Sequence, residues 1–85
     1  MLLSFGFDNR KGTPSQAVKV FDVRDVSHNP KSPAFVQRVQ EITDYVSTHP
    51  LTTTAVGCDK GQHRSKVIVD TVSRQLRCSK FHRDG

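Results

Sequence analysis

The chain has 85 residues, 25% of them charged and 34% apolar, with a formal net charge of +5. That length allows one small domain over 1–85 with one modest core, and the composition excludes a disordered polyelectrolyte. The charge favours an anionic partner, and Leu2-Leu3 is too short an apolar run for a signal peptide or membrane span, so a cytoplasmic protein is expected.

Leu2 to Phe7 alternates enough for a first strand, placed centrally. Asp8 to Gly12 is a polar loop. Thr13-Pro14-Ser15-Gln16 reads as a short helical turn, with a threonine cap and a proline at the first helical position. Val18 to Arg24 is a second strand. A loop over Asp25–Ser32 follows and contains His28-Asn29-Pro30. Ser32-Pro33 opens a helix in the same way as Thr13-Pro14. Phe35, Val39, Ile42 and Val46 recur at spacings of four, three and four, giving one apolar stripe. His49-Pro50 ends that helix.

Thr52 to Val56 reads as a buried third strand, and Lys66 to Leu76 as a helix burying Ile68, Val69, Val72 and Leu76. Cys78 to Arg83 is expected to be a short edge strand. Strands alternating with helices predict an α/β fold: a small, mainly parallel four-stranded sheet with two main helices. Ligands of such sheets bind beyond the C-terminal strand ends. That edge is expected to gather Phe7–Lys11, Arg24–Asn29, the segment 57–65 and the His82-Arg83 end.

Segment 57–65, Gly-Cys-Asp-Lys-Gly-Gln-His-Arg-Ser, joins the third strand to the second helix. A strand, a glycine-bearing turn and a helix N-terminus make an anion site, because free N–H groups and the helix dipole point into the turn. Gly57 and Gly61 permit turn angles and close approach. Arg64 can grip a phosphate with two parallel hydrogen bonds. Positive charge also concentrates here: residues 1–33, 34–56 and 57–85 carry net +2, −1 and +4.

Four chemistries compete for this loop. Cys58, five intervening residues, Arg64 and Ser65 match the Cys-x5-Arg-Ser/Thr spacing of tyrosine phosphatases, with Asp25 available as a general acid. Against that, Gly57 stands where such enzymes usually have histidine. The bland alternative, a structural cysteine beneath an anion loop, is favoured. A Walker loop fails, since Gly57 and Gly61 are too close and Arg64 holds the lysine place. Cys58, His63, Cys78 and His82 have superficially zinc-like spacing, but parallel strands put Cys78 and Cys58 at opposite sheet edges. Neither a metal, a cofactor nor a disulfide is expected, and reduced thiols suit the cytoplasm. Finally, Arg10, Lys11, Lys60, Arg74, Arg77, Lys80 and Arg83 can meet an RNA backbone, without an aromatic platform for base readout. An ordinary solvated basic surface is the rival account.

Taken in order, Leu3-Ser4-Phe5-Gly6-Phe7, Val20-Phe21-Asp22-Val23-Arg24, Asn29-Pro30, Ala55-Val56-Gly57-Cys58, Gly61-Gln62-His63-Arg64-Ser65 and His82-Arg83-Asp84 resemble the C-terminal domain of the RapZ family of RNase adapter proteins. The resemblance spans nearly the whole chain. It implies a self-associating domain that senses glucosamine-6-phosphate, binds RNA and meets protein partners. By motif, the sugar-phosphate site falls on Cys58, Gly61, Gln62, His63, Arg64 and Ser65, with Lys60 beside them and Arg24 and Asn29 facing them. RNA falls on Arg10, Lys11 and the basic C-terminal end. By the same resemblance, a domain standing without the family's ATP-binding domain and basic tail is expected, and Asp59-Lys60 stands where relatives commonly have Thr-Gly. A short stand-alone domain of this kind suits a bacterial or phage source.

A binding module for a phosphorylated small molecule is therefore expected, rather than an enzyme. Arg64 would be the clamp, the N–H groups of Lys60 to Arg64 the cradle, and His63 a ligand-orienting group. Ser65 would bond the phosphate or cap the helix. A cysteine-dependent phosphatase and a protein-interaction decoy of host RapZ are the rivals.

Overall fold

The computed structural model describes residues 1–26 and 29–84. Ser27 and His28, within the loop expected over Asp25–Ser32, lie outside the described residues. Among the described residues the elements are β1 (Leu2–Gly6), β2 (Lys19–Asp22), α1 (Pro33–Thr48), β3 (Thr54–Cys58), α2 (Arg64–Leu76) and β4 (Lys80–His82). The sheet order is β2-β3-β1-β4, and every neighbouring pair is parallel. The expected α/β fold is present, with a sheet that is wholly rather than mainly parallel.

Composition explains which strands are central. Leu2, Leu3, Phe5, Ala55 and Val56 are fully buried, the pattern of strands covered on both faces. β2 and β4 alternate with Lys19, Asp22, Lys80 and His82 and take the edges.

The connections explain the layers. The β2-α1-β3 and β3-α2-β4 crossovers step across the sheet in the same direction. Right-handed crossovers then put both helices on one face. There Phe35, Val39, Ile42, Val46, Ile68, Val69 and Val72 pack with Leu2, Val23, Val56 and Cys58. The β1-to-β2 connection steps the opposite way and so crosses the other face. Its Phe7 and Ala17 pack, with Val20, on Leu3, Phe5 and Ala55. The Thr13–Gln16 segment there closes as a single turn, Ala17 N–H to the Pro14 carbonyl at 3.4 Å.

α1 starts where its cap signal falls. The Ser32 hydroxyl accepts from the Phe35 N–H at 3.2 Å, and Pro33 occupies the first position, where its missing N–H costs nothing. The predicted stripe is the buried one. α2 ends at Arg77, a left-handed residue with φ 54°.

β3 is displaced from its expected place, running over Thr54–Cys58 rather than Thr52–Val56. Thr52 N–H still bonds the His49 carbonyl, closing the exit from α1. At the other end the Gly57 carbonyl accepts from Val23 N–H, and the Cys58 carbonyl from Phe7 N–H. Gly57 and Cys58 therefore belong to the strand, and the loop shortens to residues 59–63. Gly57 serves close approach rather than turning: a β-carbon there would lie 2.5 Å from the Phe5 ring. β1, β2 and β4 are also shorter than their expected spans, and α2 begins earlier, at Arg64.

Candidate anion-binding site

The loop hangs between the C-terminal end of β3 and the first turn of α2. Gly61 has φ 75°, a conformation that favours glycine. That turn aims the Gly61 N–H back at the Cys58 sulfur, 3.3 Å away. From the first turn of α2, the Ser65 hydroxyl lies 3.2 Å from the same sulfur and 3.4 Å from the Phe5 carbonyl. Ser65 is fully buried and Cys58 nearly so.

Burial pushes the Cys58 thiol up, but the Ser65 hydroxyl and the Ser65, Gly61 and His63 amides outweigh it, and the net direction is downward. Helix-start amides favour the ionised form of the sulfur they bond. Part of the expected N–H cradle thus converges on Cys58 itself.

Arg64 is tucked in, with its side chain 17% exposed. Its Nη1 donates to the Arg24 carbonyl and, at 3.4 Å, to the Val26 carbonyl. Its Nη2 donates to Asp59 Oδ2 at 3.1 Å. The guanidinium therefore joins the loop to the segment that follows β2. Together Cys58, Asp59, Lys60, Gln62, His63 and Arg64 line a cavity of about 220 Å³. Lys60 and Gln62 also border a neighbouring cavity of about 270 Å³, beside Asp8 and Asn9. The loop is anchored to β1 by the Asp8 N–H, which donates to the Asp59 carbonyl at 2.9 Å.

The other predicted ligand residues are placed differently. Arg24 meets the site through its carbonyl. Its guanidinium clasps Asp22, at 2.6 Å for the shortest contact, and lies 4.2 Å over the Phe7 ring. Asn29 Oδ1 accepts from Lys31 N–H at 3.0 Å and shapes the approach to α1. The helix cap falls on His63, which makes no side-chain cap bond. Ser65 is one position inside α2, so its hydroxyl faces the sulfur instead of capping the helix. Asp25, the candidate general acid, is 74% exposed and 3.5 Å from Arg38.

The candidate RNA contacts do not gather on the loop. Arg74 and Arg77 lie ten and thirteen residues along from Arg64, about 15–20 Å at the helical rise. Lys80 bonds Asp70 at 2.7 Å, and Arg83 bonds Asp84 at 2.9 Å with its side chain only 12% exposed. Arg10 and Lys11 lie in the exposed turn that follows β1.

Three polar features were not anticipated. Gly6 N–H donates to the carboxylate of Asp84 at 2.8 Å, and that side chain is 2% exposed. Ser4 Oγ lies 2.6 Å from His82 Nδ1, and His82 Nε2 lies 2.8 Å from Asp70 Oδ1, tying β1, β4 and α2 together. That network holds a strand poor in apolar residues, and it draws His82 away from the loop. Third, Asp59, which in the sequence stands out only as a departure from the family, is the carboxylate partner of Arg64. Only Gly6, a glycine inside a strand, carried a local signal of close backbone approach.

No family model matches the chain. It is 29% identical, over an alignment of 117 positions, to a curated nucleotide-binding protein of Koribacter versatilis (strain Ellin345). The alignment takes in 98% of this chain and 38% of that relative, so the chain spans about two-fifths of the relative's length.

Proposed function

We propose that the chain is a non-enzymatic binding module, similar to the C-terminal domain of RapZ, whose loop holds the phosphate of a small phosphorylated molecule. The supporting observation is the partly buried Arg64 guanidinium on the cavity that Cys58, Asp59, Lys60, Gln62 and His63 line beside the α2 N-terminus. The relative's description as nucleotide-binding supports a phosphate-bearing ligand. The resemblance favours a sugar phosphate such as glucosamine-6-phosphate, taken up beside Lys60, Gln62 and His63. RNA contact by Arg10, Lys11 and the α2 end belongs to the same resemblance.

Thermal denaturation with glucosamine-6-phosphate or inorganic phosphate tests the loop. The ligand should raise the melting temperature of the wild type, and Arg64→Ala should abolish the shift. An undiminished shift in that variant contradicts the proposal.

The Cys58 geometry favours phosphatase chemistry as the second reading. Cys58 Sγ would attack phosphorus, forming an S–P bond as the P–O ester bond breaks. A proton from solvent would neutralise the departing alkoxide, since Asp25 is exposed and paired with Arg38, and water would then cleave the S–P bond, releasing phosphate and restoring the thiol. Hydrolysis of an aryl phosphate, lost in Cys58→Ser, is the required signature. Its absence leaves a binding module.

A further inference from the structure

The loop tip rests on the end of β1, and the Asp84 side chain fixes that end. β1 and β4 pair in parallel as far as Ser4 and His82, and the Arg83 N–H adds one more rung on the Ser4 carbonyl at 3.0 Å. Beyond it the Asp84 carboxylate, not a backbone carbonyl, accepts from the Gly6 N–H at 2.8 Å. Arg83 grips the same carboxylate through Nε at 3.1 Å and Nη2 at 2.9 Å. The Asp84 side chain also lies against the loop, since a β-carbon on Gly61 would come 3.1 Å from the Asp84 β-carbon. We propose that Asp84 is a positioning residue for the anion loop: by fixing Gly6 and supporting Gly61, it aims the Gly61 N–H at the Cys58 sulfur.

The effect travels through backbone. Gly6 lies against Lys60 and Gly61 with no side chain between them to absorb a shift. If Gly6 loses its acceptor, its buried N–H must find another, and the end of β1 moves with it. The Gly61 N–H is 3.3 Å from the Cys58 sulfur, and such a bond weakens steeply with misalignment. Arg83 neutralises the carboxylate beneath a loop that favours anions, and Lys11 adds a second positive charge nearby. The other groups facing the thiol belong to the loop and α2. They are the Ser65 hydroxyl, the Ser65 and His63 amides and, around the shared cavity, Asp59, Lys60, His63 and Arg64.

The two thiols supply the test, with Cys78, half-buried before β4, as the control for global opening. The pH profile of iodoacetamide alkylation is followed at each cysteine by mass spectrometry in the wild type and three variants. Asp84→Ala removes the acceptor, and Asp84→Glu keeps the charge but displaces it by one methylene in a closed site. Both should move the Cys58 midpoint upward by roughly half to one pH unit, the scale of one neutral hydrogen bond, and leave Cys78 unmoved. Asp84→Asn keeps an oxygen for the Gly6 N–H and should restore the wild-type Cys58 midpoint. A wild-type Cys58 midpoint in Asp84→Glu, or equal changes at both cysteines, overturns the positioning role. Asp84→Glu decides alone where Asp84→Ala does not fold. A second measurement rests on the phosphate reading above: the melting shift with inorganic phosphate should be lost in Asp84→Glu and kept in Asp84→Asn. No shift in the wild type overturns that reading, and the Cys58 profile still decides the role of Asp84.

Discussion

Gly6 and Gly61 meet backbone to backbone. A β-carbon on Gly6 would lie 2.3 Å from the Lys60 carbonyl carbon, and one on Gly61 would lie 2.6 Å from the Gly6 nitrogen. Neither obstacle is a flexible side chain, so the end of β1 and the tip of the loop must separate to admit a methyl group. Gly6→Ala should therefore cost roughly 2–3 kcal/mol of stability and loosen the loop. Urea denaturation measures the first effect, and the phosphate-induced melting shift the second. A stable Gly6→Ala protein with an unchanged shift would show that this contact does not set the loop.

Ser65 should set part of the titration of Cys58. The folded thiol lies below its ordinary value, so ionised Cys58 contributes stability that is fully present above the unfolded thiol's pKa, about 8.5. That contribution is lost as pH falls through the lower folded pKa. The stability of wild type over Cys58→Ser should thus grow as pH rises across this window. Ser65→Ala removes the hydroxyl that bonds the sulfur and should move the pH profile of Cys58 alkylation upward. An unmoved profile would assign the lowering to the amides alone.

Asp84 should govern part of the acid sensitivity. Burial raises its carboxyl, but the Arg83 side chain and the Gly6 N–H lower it further, and the net direction is downward. Asp22 and Asp70 are lowered too, Asp22 chiefly by Arg24, and Asp70 by Lys80 and His82 against the opposing effect of burial. A lowered carboxyl stabilises the fold above the unfolded value, about 3.9, and loses that contribution as pH falls through the folded one. Stability should therefore fall below about pH 4. Asp84→Asn should cost roughly 1–3 kcal/mol at pH 7 and flatten the acid limb. An identical acid limb in the variant would exclude Asp84 as a contributor.

Thr54 offers a gain. Its hydroxyl is buried at the start of β3 with no hydrogen-bond partner among the described residues. Thr54→Val keeps the shape and the β-branch and removes the orphaned group. An increase of about 1 kcal/mol is expected in chemical denaturation. A loss would mean that the hydroxyl has a partner, such as an ordered water.

The amino-acid order was enough for the main features that act over a few residues, though not for the ends of the strands. The Ser32-Pro33 start, the apolar stripe of α1, the order of strands and helices and the loop before α2 are all local patterns. Their causes are caps, periodicity and turn geometry. What the sheet alone decided is which distant groups meet. Asp59 takes Arg64 because the loop shortens once Gly57 and Cys58 stay in the ladder. Ser4 meets His82, and Gly6 meets Asp84, across 78 positions of sequence because β1 and β4 pair in parallel. A hydrogen bond needs its partner within about 3 Å, and no period or cap in the chain encodes that distance between segments so far apart.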